Sequence, residues 1–160
     1  FASSHPGKDI FSEIEMAYGP QTLWPDHCVQ GTPGAQLHPS LDTTPFDLIV
    51  RKGTSPDVDS YSAFLENDRK TKTGLDGYLA SFAPEEVFLC GLATDYCVLY
   101  SVMDAVSFGF NTTVILDACR DNPYSRGFRN AARGLAISSP GSVARWPIRT
   151  RSRSPPVTAR

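Results

Sequence analysis

Apolar and polar positions fall into short ordered blocks through the middle of the chain and lose their period toward both ends. Val87-Phe88-Leu89-Cys90-Gly91 is a continuous apolar run, the pattern of a strand buried on both faces. Asp95 to Phe108 reads as a helix, because Val98, Val102 and Val106, with Leu99 and Met103, make an i, i+4 stripe and Gly109 stands where a C-cap belongs. Thr112 to Leu116 is the next strand. Upstream, Phe46 to Arg51 has the alternation of a short strand and Leu75 to Phe82 that of a helix ending before Pro84. Downstream, Phe128 to Arg133 is expected to be a short helix and Leu135 to Ser138 a last strand. Residues 1 to 45 are punctuated by Pro6-Gly7, Gly19-Pro20, Trp24-Pro25, Pro33-Gly34 and Pro39, and are expected to be loop. Strand, helix, strand, helix, strand implies an α/β fold with a parallel sheet and right-handed crossovers.

Length and composition narrow the class. One hundred and sixty residues suit a single domain, and 41% hydrophobic with 11% aromatic residues can support a core, which excludes a wholly disordered chain. The most apolar stretch, Val98 to Phe110, is shorter than a membrane span and contains Asp104, so a soluble protein without a membrane partner is expected. Four cysteines at positions 28, 90, 97 and 119 form no C-x-x-C pattern, and the opening residues contain no apolar run of the signal-peptide kind. Reduced thiols in the cytoplasm are the expectation, with Cys90 and Cys119 as small buried side chains.

The net charge of −2 conceals a break. Through Cys119 there are 6 Lys and Arg against 16 Asp and Glu; from Arg120 onward there are 9 Arg and one Asp. The segment from Ala144, rich in Arg, Ser and Pro, has no apolar period and is expected to be a disordered tail, leaving a domain over residues 1–143. That tail is not read as a nucleic-acid surface.

Candidate chemistry concentrates where a strand meets a helix. Gly91 to Cys97 links Val87–Gly91 to the following helix, and ligands of open parallel sheets bind at the carboxyl ends of strands. A cysteine in the first turn of a helix feels the positive end of the macrodipole, which favours thiolate, while backbone N–H groups of the same turn can hold an oxyanion. Cys97 is therefore a candidate nucleophile, with a buried structural cysteine as the alternative. Lys52, at the end of the expected strand Phe46 to Arg51, would project at the same sheet edge and lower the thiol pKa; a solvated lysine is the alternative. Trp24-Pro25-Asp26-His27-Cys28 joins an aromatic plate to an imidazole. His27 is either a metal ligand or a hydrogen-bonded loop residue, and no H-x-H, D-x-H or C-x-x-C supplies it with a second ligand.

Five segments together carry a resemblance: LWPDHCVQGTPGAQLHP (Leu23 to Pro39), RKG (Arg51 to Gly53), DVDSYSAF (Asp57 to Phe64), GLATDYCV (Gly91 to Val98) and DACR (Asp117 to Arg120). In this order they resemble the nicotinamidase/pyrazinamidase branch of the isochorismatase-like cysteine hydrolases, over roughly residues 1 to 120. The resemblance implies a three-layer α/β/α fold and hydrolysis of nicotinamide to nicotinate and ammonia. It implies Cys97 as the thioester-forming nucleophile, Lys52 as its triad partner, and an oxyanion hole from the N–H groups of Ala93 and Cys97. Trp24 would line the nicotinamide pocket, and His27 would be one ligand of a divalent metal, zinc or otherwise iron or manganese. A homo-oligomer is compatible with it.

The family's triad Asp, its D-x-H metal motif and its first strand match nothing in these 160 residues, since they belong before the region of Phe1 to His5. The chain is thus expected to be N-terminally incomplete and, as it stands, inactive or nearly so. Two other readings compete: a metal-free relative acting on another amide, and a nicotinamide-binding protein without catalysis.

Overall fold

The computed structural model describes residues 1–124 and the backbone of 143–145. They belong to two compact units, Phe1–Tyr78 and Leu79–Arg160.

In the first unit the stretch expected to be loop contains a hairpin. Strand β1 (Glu13–Met16) pairs antiparallel with β2 (Gly19–Thr22), in a register that sets Glu13 opposite Thr22 and Met16 opposite Gly19. Glu13-Ile14-Glu15-Met16 does alternate in polarity, but the Gly and Pro residues around it masked the period. Gly19, at φ +116°, takes the positive dihedral that lets the chain reverse after Tyr18. Pro20 costs the ladder one donor, which a two-stranded ribbon with free edges tolerates. Beyond β2 the pairing continues irregularly: Leu23 N–H donates to the Ser12 carbonyl at 2.8 Å and Phe11 N–H to the Leu23 carbonyl at 2.7 Å. Leu23 is buried there. Single 3₁₀ turns form at Ala2–Ser4 and Pro33–Ala35.

Phe46 to Arg51 is not a strand. No neighbour offers it a hydrogen-bonded ladder among the described residues, and Phe46, Leu48 and Ile49 are all exposed. Alternation alone does not make a strand, because the backbone groups need partners. The following segment is knit by turns instead. The Asp68 carboxylate accepts from the N–H groups of Thr71 and Lys70, which with the Thr71 hydroxyl hold its pKa below the usual carboxylate range. Thr73 N–H donates to the Phe64 carbonyl at 3.0 Å, and Phe64 is 1% exposed.

Helix α1 (Leu75–Phe82) has the expected limits. The Thr73 hydroxyl accepts from Leu75 N–H at its start, and Ala83, at φ +47°, leaves the helical region before Pro84.

The second unit is built on a βαβ crossover. Strand β3 (Val87–Leu92) runs parallel to β4 (Thr112–Arg120), with Leu89 opposite Val114 and, past an irregularity, Gly91 opposite Cys119. Helix α2 (Leu99–Ser107) makes the connection. Strand β5 (Val143–Arg145) joins β4 antiparallel and so includes Ala144 and Arg145, which composition assigns to the tail. The α/β class stands; the described residues form one helical layer on this sheet and not the second of the expected three.

Val98, Val102, Val114 and Cys119 make the core here, with Leu89 and Leu116 packed against them. Each fully buried valine side chain contributes about 1.5–3 kcal/mol. The stripe on α2 is therefore real, though Met103 on its margin faces solvent. Gly109, at φ +90°, follows the helix as the C-cap pattern requires. Two expectations for β3 fail. Its burial alternates, leaving Phe88 and Leu92 exposed, and Cys90 points to the open face with them. The run is apolar throughout, yet only one face is covered among the described residues. Cys119 is buried as expected, and desolvation pushes its thiol pKa up. The helix expected at Phe128 to Arg133, the strand at Leu135 to Ser138 and the tail beyond Arg145 lie outside the described residues.

Candidate active site

In the second unit, the segment between β3 and α2 is a tight turn. The Leu92–Ala93 peptide is cis, and Ala93 lies in the extended region at φ −90°, ψ 146°. Thr94–Val98 then winds as a π-helical turn, in which the Ala93 carbonyl accepts from the N–H groups of both Tyr96 and Val98 at 3.1 Å. The helix expected from Asp95 thus begins in π geometry and becomes α-helical only at Leu99. Cys97 still sits at the N-terminal end of α2, half-buried, and its carbonyl accepts from the Ser101 hydroxyl at 2.5 Å.

Ala93 and Cys97, the two residues singled out for backbone donors, belong to this one turn. Asp95 is buried, and its carboxylate accepts from Asn122 N–H at 2.9 Å, which ties the turn to the chain leaving β4. Sequence reasoning did not single out Asp95; a carboxylate two residues before the cysteine was the available signal. Burial raises the Tyr96 pKa, with the neighbouring Asp95 charge adding to it.

The other candidates lie in the first unit. Lys52 is half-buried, and its ammonium donates to the Ser60 carbonyl at 2.7 Å. It does not leave a strand, so the placement argued for it from a sheet edge does not hold. Next to it Gly53, at φ +62°, donates its N–H to the Glu66 carboxylate at 3.1 Å; a Cβ at Gly53 would lie 3.4 Å from that of Ser60. Lys52 and Gly53 line a wide cleft of this unit together with Gln21, Cys28 and Asp57.

Trp24 is half-buried and fixed on two sides. Its indole N–H donates to the Tyr61 hydroxyl at 3.1 Å, and its ring meets Phe11 and Tyr61 edge-on at 5.9 and 6.3 Å. The partners of that hydroxyl were missed by sequence reasoning. Gln21 Nε2 donates to it, and Asp59 and Asn67 in turn hydrogen-bond to the Gln21 carboxamide from a second stretch of chain; nothing in their local pattern marks them.

His27 is exposed, with Nδ1 2.7 Å from the Pro25 carbonyl and its ring against Phe1. Among the described residues no three His, Cys, Asp or Glu side chains come together as metal ligands. His27 by itself does not make a metal centre.

Comparison with known proteins places this geometry among relatives. The model of the isochorismatase domain matches residues 8–137. A nicotinamidase of Acinetobacter baylyi is 53% identical over 120 residues, which are 75% of this chain and 56% of the relative. A solved nicotinamidase of Acinetobacter baumanii has a TM-score of 0.79 and 47% identity, covering 84% of this chain and 65% of that one. A pyrazinamidase of Pyrococcus horikoshii, solved in complex with zinc, has a TM-score of 0.53 and 34% identity over 64% of this chain and 53% of its own. The chain spans about half the length of the curated relatives it matches.

Proposed function

Because the chain belongs to the isochorismatase domain family, we propose that it serves the hydrolysis of nicotinamide to nicotinate and ammonia, with Cys97 as nucleophile and a hydrolase domain over residues 1–143. The observation that supports this most is the turn Ala93 to Val98, which sets a half-buried thiol at a helix N-terminus beside backbone donors at the carboxyl end of β3. The relatives named nicotinamidase point to the same amide.

In this reading the Cys97 sulfur attacks the carboxamide carbon. The C–N bond breaks, the thiol proton leaves with the amine as ammonia, and a thioester remains. Water then cleaves the C–S bond, giving nicotinate and restoring the thiol. The N–H groups of Ala93 and Cys97 carry the oxyanion of both tetrahedral intermediates, where one such donor is typically worth about 10²–10³ in rate. Lys52 as triad partner and Trp24 as a residue of the pyridine pocket enter this reading on the family resemblance alone. The likeness to a relative solved with zinc supports a divalent metal, zinc first, with His27 as one ligand carried over by the resemblance. A cytoplasmic location belongs to the same reading.

The test joins turnover to protection. Ammonia release from nicotinamide is measured for the chain and for Cys97→Ala, and iodoacetamide labelling of all four cysteines is followed by peptide mass spectrometry with and without nicotinamide. Nicotinamide is expected to slow labelling of Cys97 and leave that of the exposed Cys90 unchanged, and any turnover is expected to fall at least about 10³-fold in Cys97→Ala. Labelling of Cys97 that ignores saturating nicotinamide, or turnover that survives the substitution, overturns the proposal.

A further inference from the structure

The β1–β2 hairpin is the element that sequence reasoning missed, and it reaches the aromatic candidate through one side chain. Gln21, in β2, is 6% exposed, and its carboxamide is the hub of a polar cluster within the first unit. Its Nε2 lies 2.6 Å from Asp59 Oδ2, 2.9 Å from the Tyr61 hydroxyl and 2.9 Å from the Thr22 carbonyl. Its Oε1 accepts from Asn67 Nδ2 at 3.0 Å and from the Tyr18 hydroxyl at 3.3 Å. The far side of the cluster is closed as well: Asn67 Oδ1 accepts from Tyr61 N–H at 3.0 Å, and the Tyr18 hydroxyl accepts from Asp59 N–H at 3.2 Å.

The Tyr61 hydroxyl is where this cluster meets Trp24. Two nitrogen donors stand within hydrogen-bond distance of that oxygen, Trp24 Nε1 at 3.1 Å and Gln21 Nε2 at 2.9 Å, the two Nε2 hydrogens being shared among Tyr61, Asp59 and the Thr22 carbonyl. An oxygen with two lone pairs that takes two donors from different directions is fixed in place, and it fixes each donor in turn. The indole cannot swing about its side-chain torsions without giving up its N–H bond, and the Tyr61 ring cannot follow it without breaking the bond to Gln21.

We propose that Gln21 is a positioning residue for Trp24, acting through the Tyr61 hydroxyl, so that the hairpin sets the plane of the aromatic surface offered to the pyridine ring. This rests on the reading of Trp24 as a nicotinamide-lining residue, and it adds the element that aims it. Gln21 itself touches no reacting atom in this scheme.

Two readouts separate the proposal from the reading beneath it. In a Trp146→Phe background Trp24 is the sole tryptophan, so its emission reports the indole environment without any ligand. Gln21→Met, which keeps length and loses both hydrogen-bonding atoms, is expected to shift that emission to the red and increase its quenching by acrylamide about two-fold or more. Tyr61→Phe is expected to do the same, and the double variant is expected to do no more than either single one, since both act through one oxygen. Calorimetry is expected to show nicotinamide bound about 3- to 10-fold more weakly by each variant, the range that follows from one ordinary hydrogen bond. Unchanged emission in Gln21→Met, or strictly additive effects in the double variant, overturns the positioning role whatever the ligand. Emission that changes as expected in a parent that binds no nicotinamide overturns the substrate reading and leaves the positioning role standing. Should Gln21→Met fail to fold, Tyr61→Phe decides alone: unchanged indole emission there overturns the proposal.

Discussion

The two units are held together by different means. In Phe1–Tyr78 the ties that bridge long stretches of chain are side-chain hydrogen bonds: Gln21 to Asp59, Tyr61 and Asn67 spans 38 to 46 residues. In Leu79–Arg160 buried hydroxyls mostly turn to backbone carbonyls close by, as Ser101 does to Cys97 and Thr112 to Phe110. Distant segments there meet mainly through a parallel strand pair and one cluster of apolar side chains, with single side-chain bonds from Thr113 to Glu86 and from Asp95 to Asn122 N–H beside them. A polar network is directional, so it fixes orientations but strands several groups when one member is lost. An aliphatic cluster is non-directional and loses stability in graded steps as atoms are removed. That division suits the proposed roles: the first unit aims an aromatic ring, and the second supports a turn whose geometry is set by backbone.

Three measurements press on this contrast, in falling order of effect. In the first unit the enclosed large apolar side chains are Phe64, at 1% exposed, and Leu23, at 2%, so its apolar filling is concentrated in few residues. Phe64→Ala is expected to cost about 3–5 kcal/mol in urea unfolding. In the second unit the filling is shared, and Val102→Ala, at a residue 3% exposed, is expected to cost about 2 kcal/mol because Val98, Val114 and Leu89 remain around it. Equal costs at the two positions would break the distinction between concentrated and shared cores.

The smallest effect concerns charge. Lys72 Nζ lies 2.6 Å from Asp76 Oδ2 at the start of α1, and this bond, ahead of smaller backbone contributions, lowers the Asp76 pKa. A carboxyl whose folded pKa is depressed adds stability above its unfolded value and loses it as pH falls through the folded one. For an exposed i, i+4 pair about 0.3–0.5 kcal/mol is at stake. Lys72→Ala is expected to lose that amount at neutral pH and to converge with the parent in acid. A gap between the two that persists undiminished in acid would show that the pair does not act through the Asp76 charge.

Legibility in the sequence followed the range of the forces. α1 was readable to the residue, because Thr73 at its start, the apolar spacing within it and Pro84 beyond it are all local signals. β3, the crossover helix and β4 were readable for the same reason, and the four extra residues of β4, Asp117 to Arg120, extend a pairing that begins where expected. The hairpin was hidden because Gly and Pro, which usually break structure, here shape a turn at Gly19 and a free edge at Pro20. Phe46 to Arg51 failed in the opposite sense, since its alternation was right and a partner was missing among the described residues.

The sequence by itself determined the α/β class, the strand–turn–helix that carries Cys97, and the family, because each is written in neighbouring residues or in ordered short motifs. Only the tertiary structure decided that the turn opens in π geometry, that β3 is covered on one face among the described residues, and that Gln21, Asp59, Tyr61 and Asn67 form one cluster that meets the indole of Trp24 at the Tyr61 hydroxyl. The physical reason is the same in each case. Which donors meet which acceptors across 40 residues, and which face of a strand finds a neighbour, depends on where other segments come to rest, and local pattern carries no record of that.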